Sequence, residues 1–158
     1  MSIPIEELER FVEDLAGTPE LWQHVVRHST EERVYEQIWD DEHVNAWLIC
    51  WSEDQDTGFH DHDRSEAAIT VLDGHIKEER LRVGGAPDTR VAGPGSTLTL
   101  PSVAIHRVLH AGERPAVTIH AYSPPLERTG AYRIGPGGEL ERASVSCEEE
   151  LQAEHALA

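Results

Sequence analysis

The chain has 158 residues, 39% hydrophobic and 27% charged, a single domain's length with ordinary globular composition rather than that of a disordered, collagenous or coiled-coil protein. Its 13 Lys and Arg against 30 Asp and Glu leave a net charge of −17, which repels nucleic-acid phosphates and anionic membranes and otherwise serves solubility. With 2 cysteines there is neither a disulfide framework nor a Cys-rich zinc module, so a reducing cytoplasm is the expected home; no apolar run approaches the about 20 residues of a membrane helix, and the opening Met1–Glu7 has neither the basic nor the apolar region of a signal peptide.

The predicted elements begin with two short helices over residues 1–30. Ile5, Leu8, Phe11, Val12 and Leu15 recur at helical spacing and Gly17 stops the run. Thr18-Pro19-Glu20 then reads as the start of a second helix, with Leu21, Trp22, Val25 and Val26 on its apolar side. From residue 31 to 135 the period is two. Val44–Trp51 is apolar almost throughout, as in a strand buried on both faces. Turn signals then separate short strands: Leu72-Asp73-Gly74-His75, read as a tight hairpin, then Gly84-Gly85, Gly93-Pro94-Gly95 and Gly112 with Pro115. Many short strands at this spacing predict a mainly β sandwich or barrel. Residues 136–158 are Gly-rich, then acidic, and read as a surface tail with a short terminal helix and no chemistry. The whole, 1–158, is one domain.

The chemistry rests on the 10 histidines. His60-Asp61-His62 puts two imidazoles on one face of a strand, where they can share a metal ion; His106 and His120 lie on later strands. By themselves these are equally four unrelated histidines. Cys50, Trp47 and Trp51 read as core.

Gly58-Phe59-His60-Asp61-His62, Gly74, and Pro101 ahead of His106 resemble the two cupin motifs, departing from the pattern at Val103 and His110. More narrowly, Leu48-Ile49-Cys50-Trp51, the H-x-H motif, Ile105-His106-Arg107-Val108 and His120-Ala121-Tyr122-Ser123-Pro124-Pro125 resemble the cysteine dioxygenase family of thiol dioxygenases across roughly residues 31–126. The resemblance implies a cupin, the double-stranded β-helix or jelly-roll barrel, carrying two short N-terminal helices. It implies Fe(II) held by His60, His62 and His106. Imidazole suits zinc and nickel as well, so either can stand in for iron in the protein as purified. Thr118, His120 and Tyr122 stand where the family has its Ser-His-Tyr relay, and they alternate onto one strand face. Arg33 stands near the family's carboxylate-binding arginine, with Gln37, Arg64, Arg107 and Arg133 as competitors. The implied partners are a small carboxylate-bearing thiol, cysteine or a mercapto-acid, and O2, with no nucleic acid and no membrane.

Glu66 lies close to the fourth-ligand position of many cupins, but counting back from Gly74 that position falls on Ala67. One residue's offset turns a strand side chain to the other face, so Glu66 is expected not to coordinate. Ala67 also stands where animal members carry the cysteine that crosslinks to tyrosine, so no crosslink is expected. Two readings remain beside the dioxygenase. One is another cupin enzyme, an isomerase or different oxygenase, using Glu66 with the three histidines. The other is a cupin that binds a small ligand without turnover.

Overall fold

The computed structural model describes residues 1–152. Helix α1 (Ile5–Ala16) forms where Leu8, Val12 and Leu15 fall on one side, and Gly17 ends it with its N–H on Glu13 O. The second expected helix does not form. Its place is taken by two three-residue 3-10 turns, Pro19–Leu21 and Gln23–Val25. The cause is local. Thr18 turns its hydroxyl back to Asp14 O instead of capping forward, and Trp22 sends its indole N–H to Leu15 O at 2.9 Å. Trp22, Val25 and Val26 still pack, partly buried, against the cluster beneath α1, whereas Leu21 of the expected apolar side is exposed.

The strands are β1 (Val34–Asp40), β2 (Asn45–Trp51), β3 (His60–Asp61), β4 (Glu66–Asp73), β5 (His75–Arg80), β6 (Asp88–Ala92), β7 (Thr97–Leu100), β8 (His106–Ala111), β9 (Ala116–Ser123), β10 (Arg128–Ile134) and β11 (Leu140–Ser146), followed by helix α2 (Cys147–Gln152). They pair as two antiparallel sheets, in the orders β1-β2-β9-β4-β7 and β11-β10-β3-β8-β5-β6. This is a cupin barrel, the double-stranded β-helix.

The middle strands of the first sheet are buried on both faces, which is why β2 reads as an apolar run. Alternate residues serve two cores. Trp47, Ile49 and Trp51 face the barrel interior with Ala67, Ile69 and Tyr122. Ala46, Leu48 and Cys50 face outward, where α1 covers them together with Ala68, Val117, Ile119 and Ala121.

Asp73-Gly74 does not close a hairpin. β4 and β5 belong to different sheets, and Gly74 turns the corner between them at φ +69°. A Cβ there would lie 2.4 Å from Pro115 O, so only glycine meets both the conformation and the space. The tail also differs from its reading as a surface segment. Leu140–Ser146 is strand β11, paired along all of β10 from Arg128↔Ser146 to Ile134↔Leu140. Helix α2 does follow, and it places Leu151, 5% exposed, in the interior cluster. Residues 153–158 of that tail lie outside the described residues. No helix among the described residues is long and apolar enough to cross a membrane.

Because α1 carries the outer core, its packing sets stability without touching the barrel interior. Leu8 is fully buried. Leu8→Ala is expected to cost about 2–5 kcal/mol, read as a lower urea midpoint at unchanged slope, with metal binding retained.

Candidate metal centre

Strand β3 is two residues long and sits between β8 and β10. It pairs His60 with His106 on one side, and His60 and Asp61 with Ala131 and Gly130 on the other. The register and the two-residue period bring three buried imidazoles together: His60, His62 and His106 each offer a nitrogen within 4.8 Å of the others. Ring centroids are 5.0, 4.6 and 4.9 Å apart, and the Nε2 atoms of His62 and His106 lie 3.3 Å apart. His60 Nδ1 donates to Gly58 O at 3.0 Å and His106 Nδ1 to Glu78 Oε2 at 2.9 Å. Both acceptors lack a proton, so each ring carries its own on Nδ1 and turns a bare Nε2 inward.

Burial, reinforced by the neighbouring imidazoles, holds His62 and His106 far below the ordinary histidine pKa. Neutral rings are the form that binds a metal. Three neutral nitrogens converging on one point fit a divalent first-row ion, Fe(II), Ni(II), Cu(II) or Zn(II). Among the described residues no carboxylate joins the group. Glu66 begins β4 in phase with Ala68, which packs in the outer core, whereas Ala67 faces the interior.

Asp61, between His60 and His62, carries a role that sequence reading missed. Its carboxylate accepts from Gly130 N–H at 3.0 Å, Asp63 N–H at 2.8 Å, the Tyr132 hydroxyl at 2.5 Å and both arms of Arg142 at 2.9 and 3.0 Å. Burial alone would raise its pKa, but Arg142, Tyr132 and the Asp63 amide outweigh it and hold the carboxyl well below the usual range. The cluster ties β3 to β10 and β11. Gly130 makes room for it, since a Cβ there would lie 2.1 Å from Arg142 Nε.

Thr118, His120 and Tyr122 share the inward face of β9. Trp51 Nε1 donates to Thr118 Oγ1 at 2.9 Å, Thr118 Oγ1 is 2.8 Å from His120 Nε2, and His120 Nδ1 is 3.3 Å from the Tyr122 hydroxyl. The Tyr122 ring stands 5.2 Å from that of His62. Burial first, then His60 and Arg33, push the His120 pKa down to about 3, so this ring is neutral.

Arg33 is buried just ahead of β1. Its Cζ lies 5.3 Å from the Trp51 ring, which stacks on His120. Nη1 donates to Asp56 O at 3.1 Å and Nη2 to Leu151 O at 2.9 Å. α2, to which sequence reading gave no chemistry, therefore reaches the same guanidinium. The competitors stand elsewhere. Arg107 forks onto Asp56 and reaches Glu79. Arg133 pairs with Glu141 at 2.7 Å. Gln37 is exposed, and Arg64 is exposed at the rim of a cavity of about 310 Å³ beside His62 and Pro125.

A jelly-roll barrel with three imidazoles gathered inside it is a cupin of the metal-site class. Solved structures of similar shape include TT1209 from Thermus thermophilus (TM-score 0.58, 18% identity, 65% of this chain and 93% of that one). A cupin superfamily protein from Desulfitobacterium hafniense is another (TM-score 0.56, 10% identity, 65% and 87%). The family model described as cysteine dioxygenase type I matches residues 1–134, and the chain belongs to that family. Among its relatives, cysteine dioxygenase type 1 of Danio rerio is 27% identical over 148 residues, covering 85% of this chain and 73% of the relative. That of Homo sapiens is 23% identical over 141 residues, covering 82% and 70%.

The neutral cluster sets a pH dependence. In the unfolded chain these imidazoles protonate near 6.5, whereas folded His120 does so only near 3. The unfolded state thus binds more protons across that window, and stability falls as pH drops below 6.5. The metal-free protein is expected to lose melting temperature steadily from about pH 7 to about pH 5. With metal bound the fall should steepen, because protons compete for the ligand nitrogens. A flat profile in thermal melts would contradict the burial argument.

Proposed function

We propose that the protein is an Fe(II)-dependent thiol dioxygenase acting on a small thiol that bears a carboxylate, cysteine or a mercapto-acid. The reaction is R–SH + O2 → R–SO2− + H+. Sulfur gains both oxygen atoms and gives up four electrons to them. The observation that carries this reading is the line Thr118–His120–Tyr122, ending beside His62: a module that only stores a metal or binds a ligand has no use for it. The outward phase of Glu66 speaks against the alternative with a fourth carboxylate ligand.

His60, His62 and His106 would hold the iron. When bound, it supplies an uncompensated 2+ charge for a thiolate and room for sulfur and O2 side by side. The chain's own residues do the rest. Trp51 occupies a lone pair of Thr118 Oγ1, and in this relay the Thr118 hydroxyl donates to His120 Nε2. His120, neutral, then carries its proton on Nδ1 and donates it to the Tyr122 oxygen. The phenol proton is thereby left to point at ligands in the pocket. Arg33 offers a planar fork to the substrate carboxylate. Leu151 O, a neutral acceptor, yields to a carboxylate, which accepts more strongly. The two free cysteines suit a reducing cytoplasm. Zinc or nickel is an expected contaminant of the purified protein, since affinity follows the Irving–Williams order.

Oxygen consumption by anaerobically Fe(II)-loaded protein, run against cysteine, 3-mercaptopropionate, mercaptosuccinate and cysteamine, tests the proposal. Stoichiometric sulfinate from a carboxylate-bearing thiol is expected, and no oxygen uptake with any thiol would refute it. Tyr122→Phe should slow turnover while metal content stays at the wild-type level, because the hydroxyl positions ligands without binding the ion. Intact mass should match the sequence, with no loss of two hydrogens to a thioether.

Arg33→Ala should lower kcat/KM for the acid by about 2–3 kcal/mol and scarcely affect cysteamine, which has no carboxylate. Arg33→Lys should recover only part, since an ammonium does not reproduce the fork. Equal damage to acid and amine would mean that Arg33 serves the fold, through bonds such as those to Asp56 and Leu151.

A further inference from the structure

Glu78 is a carboxylate buried in the barrel, 2% exposed, on the inward side of β5 between Ile76 and Arg80. Its sequence setting, His75-Ile76-Lys77-Glu78-Glu79-Arg80, is that of a solvated strand. The register decides otherwise. β5 pairs Glu78 with Val108 of β8 and with Arg90 of β6, while Arg80 stands opposite His106. Glu78 is therefore the diagonal neighbour of His106 on the inner face, within reach across the ladder.

The contacts account for the burial. Oε2 accepts from His106 Nδ1 at 2.9 Å. Oε1 accepts from Arg90 Nε at 3.1 Å and Arg80 Nη2 at 3.2 Å. An unpaired carboxylate at this depth would be costly. Arg80 and Arg90 pair with it from the rim, 28% and 50% exposed respectively, and Arg80 Nη2 also reaches Oε2 at 3.3 Å beside His106.

The three candidate ligand rings are not equivalent on their outer sides. His60 Nδ1 is held by the neutral carbonyl of Gly58. His62 Nδ1 has no partner among the described residues. His106 Nδ1 is held by the carboxylate of Glu78.

We propose that Glu78 is a positioning residue of the metal centre. It fixes the proton of His106 on Nδ1, aims the bare Nε2 at the ion, and adds a negative charge one ring away, making His106 a stronger donor. The inference rests on the three-histidine centre proposed above. A carboxylate behind a ligand imidazole fixes its tautomer and raises its basicity, so removing the charge should weaken divalent-ion binding and raise the Fe(III)/Fe(II) potential.

The test is Co(II) binding to the full chain, measured in competition with a chromophoric chelator. Glu78→Gln keeps a hydrogen-bond acceptor and removes the charge. It should weaken Co(II) about 10–100-fold and shift the visible bands of the bound ion. The urea midpoint of the metal-free protein should change little, because Arg80 and Arg90 reach water. Wild-type affinity and bands in Glu78→Gln would overturn the proposal. Should that variant fail to fold, Glu78→Asp decides: it keeps the charge but withdraws it from Nδ1, and it should also bind more weakly, unchanged affinity again overturning the proposal. His106→Ala separates the two levels. Loss of Co(II) binding in His106→Ala with none in Glu78→Gln removes this inference alone. A wild-type chain that does not bind Co(II), or binding that survives His106→Ala, removes the three-histidine reading beneath it.

Discussion

Two of the three imidazoles hang on a strand of two residues, and two rungs of ladder do not fix a geometry by themselves. What holds β3 is the carboxylate of Asp61, facing away from the barrel and receiving two backbone N–H groups, a phenol and an arginine fork. Side-chain bonds there do the work that backbone bonds do in a longer strand. The arrangement uses both faces of H-x-H. The histidines point in to meet His106, and the residue between them points out to anchor the strand. Deleting the Asp61 contacts would loosen His60 and His62 together, so Asp61 belongs to the candidate centre although it is turned away from it.

Inside the barrel, the partners of the outer nitrogens decide which nitrogens are left bare. Gly58 O and Glu78 can only accept, so they fix the protons of His60 and His106 on Nδ1. Trp51 can only donate, so it takes a lone pair of the Thr118 hydroxyl, which in turn faces His120, as His120 faces Tyr122. Burial supports the same order by keeping His62, His106 and His120 neutral, since a charged ring would donate from both nitrogens and erase the direction.

The strand pattern, the pairing of His60 with His62 and the alternation of Thr118, His120 and Tyr122 were legible because a period of two is written locally in the chain. His106 was not local, and only the family resemblance joined it to the others. Glu78 left no signal, since a charged residue in an alternating strand looks solvated until its register against β8 is known. Leu151 was hidden in the same way: an exposed, polar β11 precedes it, and nothing in the acidic tail says that one leucine turns back to Arg33. The corner at Gly74 and the 3-10 turns after Gly17 were misread for a different reason. Asp-Gly permits a hairpin and a sheet-to-sheet corner equally, and Thr18-Pro19 opens a helix only if the threonine hydroxyl is not already taken by Asp14.

The barrel interior is a poor place to gain stability. It buries Arg33, Glu78, Thr118 and four histidines among its apolar residues, and each polar group there returns little beyond its own desolvation. The offset comes from the other side of the first sheet, where α1 lays Leu8, Val12 and Leu15 over Ala46, Leu48, Ile119 and Ala121. β2, β4 and β9 are shared by both cores, one residue to each in turn. The division lets the inward positions follow chemistry while the outward positions follow packing, and the alternation that defines a strand is what keeps the two demands apart.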